Sequence, residues 1–308
     1  MPRISIVTPC YNGELFLAET IESVLAQKMT DWEMVIVDDG GWDGSAGIAQ
    51  GYADRDTRIR LLRQTNQGAS QARNNGAAAT DPAVEYLWFL DADDRLKPGA
   101  FAALAGYLDA HPEAVCAACE YDFIDEHGAS VTPQAHEYAR VWRYAPHGLS
   151  VRPLRDDEPD TPFSTLFSWC RIIPSAWIIR RSAFVQAGGY TSALQIGHDI
   201  DLALKCSLQG EVHFLPELVC MEYRRHSGQK TAHLDRIRDE EQKLWKIWRD
   251  GENLTPAQRA LVAKAWRFKE RRFTPYLMQG WTLDAFRRGD WRGGVSMALR
   301  GVKKYLMG

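Results

Sequence analysis

Nowhere in the 308 residues do 18 apolar side chains follow one another, so no segment reads as a membrane-spanning helix. The opening stretch, Met1-Pro2-Arg3-Ile4-Ser5-Ile6-Val7, has neither the basic-then-apolar order nor the small-residue cleavage site of an export leader. The six cysteines (Cys10, Cys116, Cys119, Cys170, Cys206, Cys220) are scattered, which with the missing leader predicts reduced thiols and a cytoplasmic protein. Cys116 and Cys119 form a lone CxxC, without the second ligand pair that a structural zinc site needs. There is no internal repeat and no recognised nucleic-acid motif, and the acidic body of the chain does not suggest a nucleic-acid binder. What remains is an ordinary globular composition, 25% charged and 45% hydrophobic, on a chain long enough for one large domain with an appendage.

The small net charge conceals an asymmetry. Residues 1–223 carry 17 Lys and Arg against 31 Asp and Glu, whereas residues 224–308 carry 20 against 9. An acidic body and a basic tail predict different partners for the two parts.

Negative charge is most concentrated in Trp88-Phe89-Leu90-Asp91-Ala92-Asp93-Asp94, an apolar strand that ends in three carboxylates. On an extended backbone Asp91 and Asp93 project to the same side. Massing them is unfavourable unless a cation intervenes, and hard oxygen ligands suit Mg²⁺ or Mn²⁺. A second acidic strand end, Val35-Ile36-Val37-Asp38-Asp39-Gly40, lies upstream. Ligands of open α/β sheets bind outside the carboxyl ends of the strands, so two acidic ends together predict a metal-assisted site for a phosphorylated ligand.

Periodicity predicts strands at 3–7, 32–37, 59–62, 86–90, 114–119, 172–180 and 211–223. Helices are expected at 14–27, 45–53, from Gln67-Gly68 to about Ala79, from Pro98 to about His111, and from His198 to about Gln209, with a short one at 184–190 stopped by glycine. The alternation implies an α/β fold with a mostly parallel sheet and helices on both faces. Residues 120–165, punctuated by Pro133, Pro146, Pro153, Pro159 and Pro162, read as loop-rich. Beyond residue 233 only helical periodicity remains, near 234–250, 256–279, 282–288 and 291–306.

Seven motifs in order make residues 1–230 resemble the family 2 inverting glycosyltransferases with a GT-A fold. They are Ile6-Val7-Thr8-Pro9-Cys10-Tyr11-Asn12, Val37-Asp38-Asp39-Gly40, Gly68-Ala69-Ser70-Gln71-Ala72-Arg73-Asn74, Leu90-Asp91-Ala92-Asp93-Asp94, Gly188-Gly189-Tyr190, His198-Asp199-Ile200-Asp201-Leu202 and Tyr223-Arg224-Arg225-His226. The resemblance implies a GT-A catalytic domain over 1–230, with its nucleotide-binding part at about 1–119 and its acceptor part at about 120–230. A basic, aromatic-rich helical extension follows over 231–308.

By the same resemblance Thr8, Pro9 and Tyr11 line the base pocket, and Asp39 accepts a hydrogen bond from the base, as a carboxylate can from the imino N–H of uracil. Arg73, near a helix start that itself favours anions, lies by the diphosphate. Asp91 and Asp93 match the D-x-D motif, with Asp93 the better metal ligand, Asp94 supporting, and His226 at a position that reaches the metal or diphosphate. The cofactor implied is Mn²⁺ or Mg²⁺. Asp199 matches the general base and Asp201 is the fallback; a carboxylate there takes the proton of the attacking acceptor hydroxyl. Two departures stand out: Gly41-Trp42 replaces the family's Ser or Thr pair, and His198 replaces an acidic residue.

The function implied is metal-dependent, inverting transfer of a sugar from a nucleotide-diphosphate donor, UDP-sugar foremost, to a glycan or lipid-linked hydroxyl acceptor in bacterial surface glycan synthesis. A non-catalytic nucleotide-sugar-binding or scaffold protein is the alternative. A sugar nucleotidyltransferase fits less well, since Thr8-Pro9-Cys10-Tyr11-Asn12-Gly13 is not a glycine-rich basic phosphate loop. The tail's aromatics, among them Trp245, Trp248, Trp266, Trp281 and Trp291, suit packing or a homodimer, or else peripheral contact with the inner face of a membrane.

Overall fold

Unbroken apolar runs form the parallel half of the sheet. β1 (Ile4–Cys10) lies between β2 (Trp32–Asp38) and β4 (Tyr86–Phe89), parallel to both, and β3 (Ile59–Arg63) is parallel outside β2. Every residue of β2 and β4 is buried, as strands covered on both faces require. The pleat sends Ile4 and Ile6 to one face, where Leu17 and Ile21 of α1 (Leu17–Leu25) and Phe101 and Leu104 of α4 (Ala100–Ala110) join the core. α2 (Ser45–Ala53) links β2 to β3. α3 (Ala69–Ala78) lies on the opposite face, so close that a Cβ on Gly76 would stand 2.4 Å from Val7 and 2.9 Å from Val37.

The computed structural model describes residues 1–131, 150–151, 172–229 and 234–251, with isolated positions between 254 and 299. These fall into two compact units, one holding the described residues within Met1–Val131, Gly148–Pro153 and Ile172–Leu244, the other those from Trp245 onward. In the second unit the Trp245 and Trp266 rings stack with centroids 4.8 Å apart. Apart from those isolated positions, the helices expected near 256–279, 282–288 and 291–306 lie outside the described residues, as does most of the loop-rich stretch 120–165. No helix among the described residues is long and apolar enough to cross a membrane.

Beyond β4 the sheet turns mixed. β8 (Trp177–Arg180) is antiparallel to both β4 and β6 (Ala114–Ile124), β9 (Glu211–Arg224) is parallel to β6, and β5 (Arg95–Leu96) is antiparallel to β9. β7 (Ser150–Val151) also pairs with β9, off the main order β3-β2-β1-β4-β8-β6-β9-β5. Because β8 is reversed against both neighbours, β6 and β9 run in the direction of β4. Helices α5 (Arg181–Gln186), α6 (His198–Ser207) and α7 (Leu234–Asp250) complete the described elements.

The strand expected over 172–180 is shorter, because Pro174 opens a 3₁₀ turn over Pro174–Ala176 and has no N–H for a ladder. β6 runs on to Ile124, and its register against β9 shifts between Cys119 and Tyr121; such bulges break the alternation a strand is read from. The described cysteines, Cys10, Cys116, Cys119, Cys206 and Cys220, are buried thiols.

Candidate active site

β1 pairs with β2 so that Cys10 faces Asp38, and with β4 so that Val7 faces Phe89. The loops after these three strands therefore share one edge. Asp38 Oδ1 accepts from Gly41 N–H (3.1 Å), the tight turn of an acidic cap. The buried Asp39 carboxylate accepts from Gln64 Nε2 (2.7 Å) and from the backbone N–H of Gln67 (2.8 Å) and Gly68 (2.9 Å), so it sets the loop that leads into α3. Thr8 is enclosed in the sheet and Pro9 is half-buried. Tyr11 and Trp42 are exposed at 53% and 82%. Asn12, held at φ 55°, joins their loops by accepting Trp42 N–H at 3.0 Å.

The acidic end of β4 is divided among three environments. Asp94 is buried, with Oδ1 accepting Arg224 N–H (3.0 Å) and Oδ2 without a hydrogen-bond partner among the described residues. Burial, with Asp93 and Asp91 alongside, pushes its carboxyl well above the usual range. Asp93 Oδ2 accepts from His226 Nε2 at 2.9 Å, and Gly228 N–H on Nδ1 (3.2 Å) assigns the ring proton to that contact. Asp91 accepts from Arg73 through Oδ1, and its own N–H donates to Ser175 Oγ (3.0 Å). Arg224 is not available to a phosphate: it is wholly buried, with its guanidinium on Glu19 (2.7 Å) and on the carbonyls of Asp93, Asp125 and Glu126.

Arg73 joins the two halves of the site. Gly76, one turn on, lets α3 settle against β1 and β2. That packing leaves the Arg73 side chain 3% exposed, with Nη2 on Asp91 and Nη1 donating to His198 Nε2 at 2.8 Å. Its Nε has no partner among the described residues, and its Cζ lies 5.3 Å from the centre of the Tyr190 ring. Tyr190 is fastened by Asn74, whose side chain accepts Tyr190 N–H (2.9 Å) and donates to its carbonyl (2.8 Å). Burial pushes the Tyr190 phenol well above its ordinary value.

Asp199 follows in the first turn of α6 and accepts Ile200 N–H (2.9 Å). Solvent still reaches part of the residue, yet burial of the carboxyl pushes it up to about 6. The backbone hydrogen bonds and the Arg73 charge oppose that rise, and Asp91 adds to it. Asp201 is sealed from solvent and engaged by Thr191 Oγ1 (2.7 Å) and Lys205 Nζ (2.8 Å), so the fallback base is a structural ion pair. The entry to α6 is held by α7: Glu240 Oε2 accepts Gln195 N–H (2.7 Å), and Leu244 lies 3.9 Å from where a Cβ on Gly197 would be.

Asp91, Asp93 and Asp94 each offer a carboxylate oxygen, all within 4.8 Å of one another. The unpartnered Asp94 Oδ2 and the hard-oxygen donor set fit Mg²⁺ or Mn²⁺. Sequence reasoning missed Asn74, Ser175 and Glu240, which position the site without carrying its chemistry. Asn74 alone left a trace, as the residue beside Arg73 in the third motif.

The model described as glycosyl transferase family 2 matches residues 5–187. EpsJ of Bacillus subtilis (strain 168), an uncharacterized glycosyltransferase, is 43% identical over 104 residues, a stretch covering 34% of this chain and 30% of EpsJ. Less than a third of that relative's length is therefore matched. The S. aureus TarS 1-349 structure in complex with UDP-GlcNAc superposes with a TM-score of 0.62 at 14% identity, covering 97% of this chain and 90% of that one. The mannosyltransferase PcManGT from Pyrobaculum calidifontis, in complex with GDP-Man and Mn²⁺, gives 0.62 at 16% identity, covering 98% and 80%. At such identities the shared fold is what the superpositions establish.

Proposed function

The chain belongs to glycosyl transferase family 2, and on that premise we propose that it transfers a sugar from a nucleotide-diphosphate donor to a hydroxyl acceptor with inversion. The observation that carries this reading is Arg73: one buried guanidinium bonded both to Asp91, at the acidic strand end, and to His198, next to Asp199. A donor-side acid and an acceptor-side acid thus flank one cation, which supports a displacement with entering and leaving groups on opposite sides.

Asp199 is the general base. A carboxyl pushed up to about 6 is ionised at neutral pH yet basic enough to take a proton as the acceptor oxygen attacks the anomeric carbon. The bond from that carbon to the diphosphate breaks as the new C–O bond forms, and the proton ends on Asp199. The Arg73 charge favours the ionised form of Asp199, and Arg73 orients Asp91; the His226 hydrogen bond orients Asp93. Asp91 and Asp93, with His226 at hand, would hold a divalent cation, which when bound neutralises charge on the departing diphosphate. Tyr11 supplies a ring for the base, with Thr8 and Pro9 behind it. Asp39, already accepting three hydrogen bonds, shapes the pocket and keeps one lone pair for the base.

UDP-sugar is the donor we favour. TarS binds UDP-GlcNAc on the same fold, and PcManGT binds GDP-Man, which makes GDP the competitor. The acceptor we infer is a glycan or lipid-linked glycan of a bacterial surface polymer. The test is release of nucleoside diphosphate from a panel of UDP-, dTDP- and GDP-sugars by wild type and Asp199→Asn. The reading requires turnover of one donor by wild type, a loss of about 10²-fold or more in the variant, and undiminished nucleotide binding. Equal turnover by both proteins would remove Asp199 as the base.

A further inference from the structure

We propose that His111, Glu113 and His213 form a second cation site, for a late first-row divalent metal of the zinc type, at the sheet edge opposite the acidic strand ends. β6 and β9 run in the direction of β4, so their starts lie away from Asp91. His111 ends α4, Glu113 immediately precedes β6, and His213 is the third residue of β9. One ligand atom from each lies within 4.8 Å of the other two.

The cluster is built on fixed backbone. His111 N–H donates to Leu108 O (3.2 Å), Ala114 N–H to His111 O (3.0 Å) and Glu211 N–H to Glu113 O (3.0 Å). Gly210 allows that last approach, because a Cβ there would stand 2.2 Å from Val115 Cγ1. A register shift between Ala114 and Cys116 re-aims the start of β6. The Tyr107 ring stacks on His111 with centroids 4.2 Å apart, and its hydroxyl lies 2.9 Å from His213 Nδ1. Glu211 Oε2 holds His213 Nε2 at 2.8 Å, and Glu113 Oε1 lies 3.0 Å from His111 Nδ1.

Two imidazoles and a carboxylate are a nitrogen-rich donor set, the kind that zinc takes, and differ in chemistry from the all-oxygen set at Asp91. Ligands about 2.0–2.2 Å from a tetrahedral zinc lie roughly 3.3 Å from one another, so the cluster needs only a modest contraction. The exposed Glu113 and half-buried His111 can supply it, while His213 stays buried. Glu211, holding Nε2, then acts as the carboxylate that orients His213, and the metal takes the place of the Tyr107 hydroxyl on Nδ1. The metal would tie the end of α4 to the starts of two strands, a structural role independent of sugar transfer.

Calorimetric titration of the full chain with Zn²⁺, in excess Mg²⁺ to occupy the oxygen site, tests this. Wild type and Asp93→Ala are expected to take up one equivalent, with a rise in melting temperature. His111→Ala and Glu113→Gln, each checked for folding by circular dichroism, are expected to bind at least tenfold more weakly. No binding by wild type at micromolar zinc would overturn the proposal. So would wild-type affinity in both variants, which would leave the cluster as two ordinary His–Glu hydrogen bonds.

Discussion

Replacing Asp199 by Asn isolates the energetic consequence of a buried, ionised base. The carboxyl titrates at about 6 in the folded chain against an ordinary 3.8, chiefly because burial disfavours its charge. Below pH 3.8 it is protonated whether folded or unfolded and costs nothing. Between 3.8 and 6 the folded chain holds a proton that the unfolded chain has lost, so stability falls as pH rises. Above 6 the full difference is lost, about 3 kcal/mol at roughly 1.4 kcal/mol per tenfold. The amide of Asn keeps the acceptor for Ile200 N–H and carries no charge. The variant should therefore be more stable than wild type by about 2–3 kcal/mol at pH 7 and by only about half a kcal/mol at pH 4. In a chain of this size the pH 7 difference appears as several degrees in Tm. Urea denaturation of both proteins from pH 4 to 8 measures it, and the difference between the curves cancels the other titrating groups. A variant no more stable than wild type at pH 7, or an advantage that does not change with pH, would show that burial does not raise the Asp199 carboxyl.

Two further outcomes follow from the cation beneath the site. Arg73→Met removes the guanidinium from Asp91 and should cost about 1.5–3 kcal/mol; it should also move the acid limb of the pH–activity profile upward, since the Arg73 charge holds Asp199 down, whereas Arg73→Lys should leave that limb nearly in place. Gly76→Ala drives a methyl into Val7 and Val37 and should lower stability by about 1–3 kcal/mol in thermal unfolding, less the gain of about 1 kcal/mol in helix propensity.

Much of this architecture was legible because it is written locally. The apolar runs of β1, β2 and β4 end in Cys10-Tyr11, Asp38-Asp39 and Asp91, and parallel pairing then brings those ends together without further information. α7 spans 234–250, where helical periodicity put it. The reversal of β8, the two-residue β5 and the bulged end of β6 were not legible, because each depends on a partner strand rather than on its own alternation. The same holds at the site. The bond from Arg73 to His198 spans 125 residues of sequence and leaves no local signal. Asp199 and Asp201 look alike in the motif, and only the packing of Lys205 and Thr191 around Asp201 separates them. The restraint of α6 by Glu240 depends on a helix that begins after the last recognised motif.

The most direct test of the central claim is calorimetric binding of UDP, dTDP, GDP and CDP to wild type and Asp93→Ala, each with and without Mn²⁺. One nucleotide, UDP foremost, is expected to bind wild type only with the metal, and Asp93→Ala to lose this binding while remaining folded. Failure of every nucleotide to bind wild type, or binding indifferent to both the metal and Asp93, would contradict it.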